Sequence, residues 1–104
     1  MKFIELKKVI GDTRTYRLCI SNNTDAHRFV EKYLRSEHKF TGEIGSSWRD
    51  ILGAIANDDA LYTDGNKLII SEFVDQDFYN DLNVVWLESD GYKLLIHLGY
   101  ESLN

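Results

Sequence analysis

The side chains best suited to nucleophilic or metal chemistry in this 104-residue sequence are one cysteine and three histidines. Cys19 lies in the run Arg17-Leu18-Cys19-Ile20, with no glycine-rich turn or helix start to expose the sulfur or favour a thiolate, so it reads as a small hydrophobe. His27 and His38 stand eleven residues apart and His97 is alone in a strand-like run, so no His-x-x-x-His or Cys-x-x-Cys spacing forms a zinc site. Asp64-Gly65 and Asp90-Gly91 have the Asp-Gly step of a calcium loop. The ligand positions upstream fall on Ala60 and Tyr62 in the first and on Trp86 and Glu88 in the second, and neither set serves. Phosphate-binding glycine loops and Gly-x-Ser-x-Gly elbows are absent, and Ser46-Ser47 after Gly45 suits helix capping. The expectation is a protein that is not an enzyme and holds neither metal nor cofactor. A small enzyme would need carboxylates such as Asp75 and Asp77 in a concave pocket with shifted pKa values.

Carboxylates are the other chemistry-bearing group. Asp58, Asp59, Asp64, Glu72, Asp75, Asp77, Asp81, Glu88 and Asp90 share their stretch with a single cation, Lys67. Asp58 and Asp59 follow a helical pattern, where the macrodipole disfavours anions by roughly 0.3–1 kcal/mol each. Phe73, Phe78, Tyr79 and Trp86 are interleaved with these acids. Aromatic area with carboxylates suits the recognition of a cationic partner. Phe73 and Phe78 are expected in the core and Tyr79 at the surface. The candidate partner-binding residues are Glu72, Asp75, Asp77, Asp81 and Tyr79, with Asp58 and Asp59 behind them.

These residues must be positioned by secondary structure. Residues 3–10 and 15–20 read as two strands joined near Gly11-Asp12-Thr13. A three-residue loop places Ile4, Leu6 and Ile10 on the face of Tyr16, Leu18 and Ile20, and leaves Lys7 and Arg17 on a basic outer face. Residues 24–36 carry the apolar stripe Ala26, Phe29, Val30, Tyr33 and Leu34 of an amphipathic helix, with N-cap candidates from Ser21 to Thr24. Ser47 caps a second helix bearing Trp48, Ile51, Leu52, Ile55 and Ala56, with Asp50 where a capping box has its acid. Residues 60–63 and 67–71 flank Asp64-Gly65, and residues 84–89 and 92–98 flank Asp90-Gly91, the signature of two hairpins. A two-residue turn at Asp90-Gly91 pairs Leu87 with Leu94, Val85 with Ile96, Trp86 with Leu95, Glu88 with Lys93 and Val84 with His97. Residues 72–82 fit either a short helix or a strand continuing to Val74. The whole is an α+β fold, an antiparallel sheet with two or three helices packed on one side.

A chain of this length forms one domain, residues 1–104. Its 43% hydrophobic and 28% charged residues are those of a globular protein. With no proline, Gly, Asn and Asp must make the turns. The first twelve residues alternate apolar and charged side chains unlike a signal peptide, no window approaches a membrane span, and a lone cysteine suits a reducing compartment. A cytoplasmic protein without membrane contact is expected. Of the net charge of −5, residues 1–52 hold +3 (ten Lys and Arg against seven Asp and Glu) and residues 53–104 hold −8 (two against ten). Such asymmetry points to an acidic face.

In size, charge and the placing of acids around aromatics, the chain resembles the immunity proteins of bacterial toxin–immunity pairs, including contact-dependent inhibition systems. That resemblance implies a cytosolic antitoxin that binds a basic toxin domain, commonly a nuclease, and blocks its active site without touching nucleic acid itself. Two alternatives share the sequence features. One is a phage-type nucleic-acid mimic that inhibits a defence nuclease. The other is a nucleic-acid-binding module using Lys7, Arg14 and Arg17 of the first hairpin, which the pI near 5.1 disfavours.

Overall fold

The computed structural model describes residues 1–11, 16–37, 42–91 and 93–101, and it begins with a helix where the first of two strands was expected. Residues Phe3–Ile10 form α1. Phe3 and Leu6 are buried and Ile10 packs partly against the same core, a spacing of three and four that fits a helix better than alternation does. The Glu5 carboxylate accepts from the backbone N–H of Lys2 at 3.2 Å, and Gly11, at φ 72°, ends the helix with its N–H on the Lys7 carbonyl. The basic hairpin face therefore does not exist. Lys7 projects from α1 and donates to Gln76 Oε1 at 2.7 Å, Arg17 lies on a strand and donates to the Tyr62 hydroxyl at 3.3 Å, and Arg14 lies outside the described residues.

The remaining elements are β1 (Tyr16–Ile20), α2 (Asn23–Ser36), α3 (Trp48–Ile55), β2 (Leu61–Thr63), β3 (Leu68–Ile70), a 3-10 turn at Gln76–Phe78, β4 (Asn83–Asp90) and β5 (Lys93–Gly99). Asn22 and Ser47 cap α2 and α3, their side chains accepting from Asp25 N at 3.0 Å and Asp50 N at 3.1 Å. His27 of α2 donates from Nε2 to the Ile44 carbonyl at 2.7 Å, which ties the segment leading into α3 back to α2.

The five strands make one mixed sheet in the order β2-β3-β1-β5-β4. Its pairs are antiparallel except β1 with β5, which run parallel with Leu18 opposite Ile96 and Cys19 opposite His97. The wholly antiparallel sheet expected from the sequence is corrected at this pair. Because residues 3–10 are helical, β1 has no preceding hairpin partner and instead lies at the sheet centre between β3 and β5. The last hairpin also closes two residues out of the expected register, with Asp90 opposite Lys93, Leu87 opposite Ile96 and Trp86 opposite His97. A bulge between Val84 and Trp86 then sets Val84 opposite Leu98.

All three helices lie on one face, in line with the α+β expectation. Phe3 and Leu6, Phe29, Val30, Tyr33 and Leu34, and Ile51 and Ile55 pack there on Leu18, Ile20, Leu61, Leu68, Ile70, Ile96 and Leu98. The other face has no helix among the described residues. Among the described residues its buried apolar cluster is Cys19, Ile69 and Leu95, and the side chains around it include Arg17, Lys67, Glu88, Trp86 and His97. No described helix is long and apolar enough to cross a membrane.

Candidate functional site

The acidic residues singled out by sequence are held by the crossing from β3 to β4. Ser71 opens it: its N–H donates to the Ala60 carbonyl at 3.0 Å, its carbonyl takes the N–H of Val74 at 3.2 Å, and its hydroxyl oxygen takes the N–H of Phe73 at 3.2 Å. Val74 is driven into the core, 2% exposed, and Phe73 is turned out, 75% exposed. Asp75 caps the 3-10 turn by accepting from Asp77 N at 2.9 Å. Phe78 then packs edge-on against Tyr33, with ring centroids 5.4 Å apart, and Tyr79 lies against Phe3 at 5.5 Å. Leu82 is buried, and its carbonyl accepts from Phe3 N at 2.8 Å. Val74, Phe78, Tyr79 and Leu82 thus staple the crossing inward, while Glu72, Phe73, Asp75 and Asp77 are exposed.

Two aromatic assignments change place. Phe73, expected in the core, is the exposed ring of this segment, and Tyr79, the expected surface contact, is half-buried. Burial raises the Tyr79 phenol pKa, with the hydroxyl of Tyr16 and the carboxylate of Asp75 adding to it. The Ser71 hydrogen bonds show why: they turn Val74 into the core and leave Phe73 outside it.

The other acids divide. Asp59 is exposed at the turn before β2, and the Ser71–Ala60 hydrogen bond puts it at the same end of the β2–β3 hairpin as Glu72. Asp58 has a structural role, since its Oδ1 accepts from Ala60 N at 2.7 Å and Leu61 N at 3.3 Å and so closes the turn from α3 into β2. Asp81 sits beyond the staple, 3.7 Å from Lys2 Nζ in an exposed ion pair. The segment therefore gathers Glu72, Asp75 and Asp77 with Phe73, brings Asp59 to their side, and leaves Asp58 and Asp81 with other work.

A second cluster, on the helix-free face, was not visible in the sequence. Cys19, at the end of β1, and Ser21, one residue beyond it, point to the same side as His97 of β5 and Glu88 of β4. His97 is 5% exposed. Its Nε2 lies 2.7 Å from Glu88 Oε1, its Nδ1 lies 2.6 Å from Ser21 Oγ and 3.4 Å from Cys19 Sγ. Lys67 Nζ stands 3.7 Å from the same Glu88 oxygen. The Trp86 indole meets the imidazole edge-on, centroids 5.1 Å apart and planes at 83°, and is itself 56% exposed. Burial pushes the Cys19 thiol up to about 11, against a smaller opposing effect of its hydrogen bond with Ser21, so the sulfur stays protonated. Side-chain alternation could have placed Cys19 and His97 each on one face of a strand. It could not reveal that β1 and β5 are neighbours, nor that the two-residue register shift puts Trp86 opposite His97.

Among the described residues, no three His, Cys, Asp or Glu side chains are placed to hold a metal ion. Comparison with known protein families, with curated proteins and with solved structures returns no match.

Proposed function

We propose that this chain is a binding protein that docks a basic protein partner on the exposed surface of the β3–β4 crossing, in the manner of an immunity protein seated on a toxin domain. One observation carries the reading: Phe73 stands 75% exposed between Glu72 and the Asp75–Asp77 pair, on a segment whose other apolar side chains are anchored in the core. A large apolar ring held in water has no folding role. Surrounded by carboxylates on a fixed backbone, it has the makeup of an interface anchor, in which the ring fills a pocket and the charges choose a cationic partner and speed the encounter. The charge of −8 on residues 53–104 supports a basic partner over a neutral one. A toxin nuclease, whose substrate groove must be basic to hold phosphates, is the partner class this chemistry fits, and coverage of that groove is the proposed mode of inhibition.

Immobilised protein exposed to the soluble proteins of its source tests the proposal. Wild type should retain a basic protein that the Phe73→Ala, Asp75→Lys, Asp77→Lys variant does not. Equal retention of the same proteins by both baits would remove this surface from the interface.

A further inference from the structure

We propose that Ser21, His97 and Glu88 form a nucleophilic site that cleaves esters of short acyl groups, separate from the acidic surface. The carboxylate of Glu88 can only accept, so the proton of the imidazole resides on Nε2 and points at Oε1, 2.7 Å away. That tautomer leaves Nδ1 as a bare acceptor, and the Ser21 hydroxyl donates to it at 2.6 Å. A hydroxyl on a neutral imidazole whose other nitrogen is held by a carboxylate is the arrangement that activates a serine. The ring is turned relative to the serine proteases, with Nδ1 rather than Nε2 as the base, but each nitrogen performs the same task. Cys19 is no rival nucleophile. It is fully buried, and its thiol is held neutral.

The surroundings complete such a site. Ser21 is exposed, at the step from β1 into the fourteen-residue helix α2. Asn22 caps Asp25 N, and helix geometry gives the N–H groups of Asn23 and Thr24 no intrahelical acceptor, so the residues next to the serine carry the partial positive charge that an oxyanion needs. An open hollow of about 180 Å³ adjoins the serine, lined by Ser21, Asn22, Val85, Trp86, His97 and Leu98. Its largely apolar walls suit a short acyl chain.

In the reaction, Ser21 Oγ bonds to the ester carbonyl carbon as its proton moves to His97 Nδ1. The bond from that carbon to the alcohol oxygen then breaks, and the alcohol leaves with the Nδ1 proton. Water attacks the acyl-serine, giving one proton to Nδ1, and the carboxylic acid departs as Ser21 recovers its hydrogen. The Glu88 carboxylate stabilises the imidazolium.

The test uses a fluorophosphonate probe, with the adduct mapped by peptide mass spectrometry, together with p-nitrophenol release from p-nitrophenyl butyrate. The expected result is an adduct on Ser21 and release that disappears in Ser21→Ala, a change at an exposed position that leaves the circular dichroism spectrum intact. His97→Gln should slow adduct formation by a factor on the order of 10²–10⁴, the usual worth of a general base. Glu88→Gln should slow it as well, and Ser89→Ala on the neighbouring strand should leave it unchanged. An adduct absent from Ser21, or release from wild type no faster than from Ser21→Ala, would overturn the proposal.

Discussion

Phe73 and Val74 are consecutive in the chain and opposite in environment, the first 75% exposed and the second 2%. The two hydrogen bonds that Ser71 accepts from their amides fix that split, since they turn the backbone sharply before the 3-10 turn begins. The pair separates what the crossing needs for folding from what it offers to a partner.

The separation predicts unequal costs for aromatic truncation. Phe29, 1% exposed on α2, should lose about 3–5 kcal/mol on substitution by alanine, as large core side chains do. Phe73→Ala should stay within about 0.5 kcal/mol of wild type, as exposed positions do. Chemical denaturation of both variants checks the contrast.

Neighbouring aspartates should differ in the same way. Asp58→Ala removes the acceptor of two backbone amides at the α3–β2 turn and should cost about 1–3 kcal/mol. Asp59→Ala, at an exposed side chain, should be close to neutral. Thermal melts of the two single variants distinguish them.

Alkaline stability should follow Cys19. Its folded pKa of about 11 exceeds the ordinary 9.0, so the folded state binds more protons between those values than the unfolded chain does. The contribution is whole below about pH 9 and is lost as pH rises towards 11. Tyr100, raised by burial from 10.0 to about 12, extends the decline. Unfolding free energy measured from pH 8 to 11 should therefore fall, and Cys19→Ala should flatten the first part of the fall. The native thiol should also resist alkylation that the unfolded chain undergoes readily.

The fold class and α2, α3 and both C-terminal hairpins were legible in the sequence, because helical stripes and Asp-Gly turns are local signals. Phe3–Ile10 was not. Its apolar residues at 3, 4, 6, 9 and 10 satisfy alternation nearly as well as helical spacing, and its burial against β4 and the Leu82 backbone decides the matter. The parallel β1–β5 pair is likewise a long-range choice, joining Cys19 to His97 across 78 positions. Of the acidic surface, Glu72, Asp75 and Asp77 were legible as an exposed charge run. The exchange of Phe73 for Tyr79 was not, since it depends on the Ser71 turn. Ser21, His97 and Glu88 come from three strand ends or strands that meet only in the folded sheet.

Binding kinetics on the captured partner at two salt concentrations test the central claim most directly. If the exposed acids steer a basic partner to Phe73, association with wild type should slow markedly as salt rises, because screening acts on the encounter. The paired Asp75→Lys and Asp77→Lys reversal should slow association and lessen its salt dependence, and Phe73→Ala should mainly speed dissociation. Circular dichroism should be unchanged in both. Association of the reversed pair at the wild-type rate, with the same response to salt and the partner still inhibited, would contradict the account.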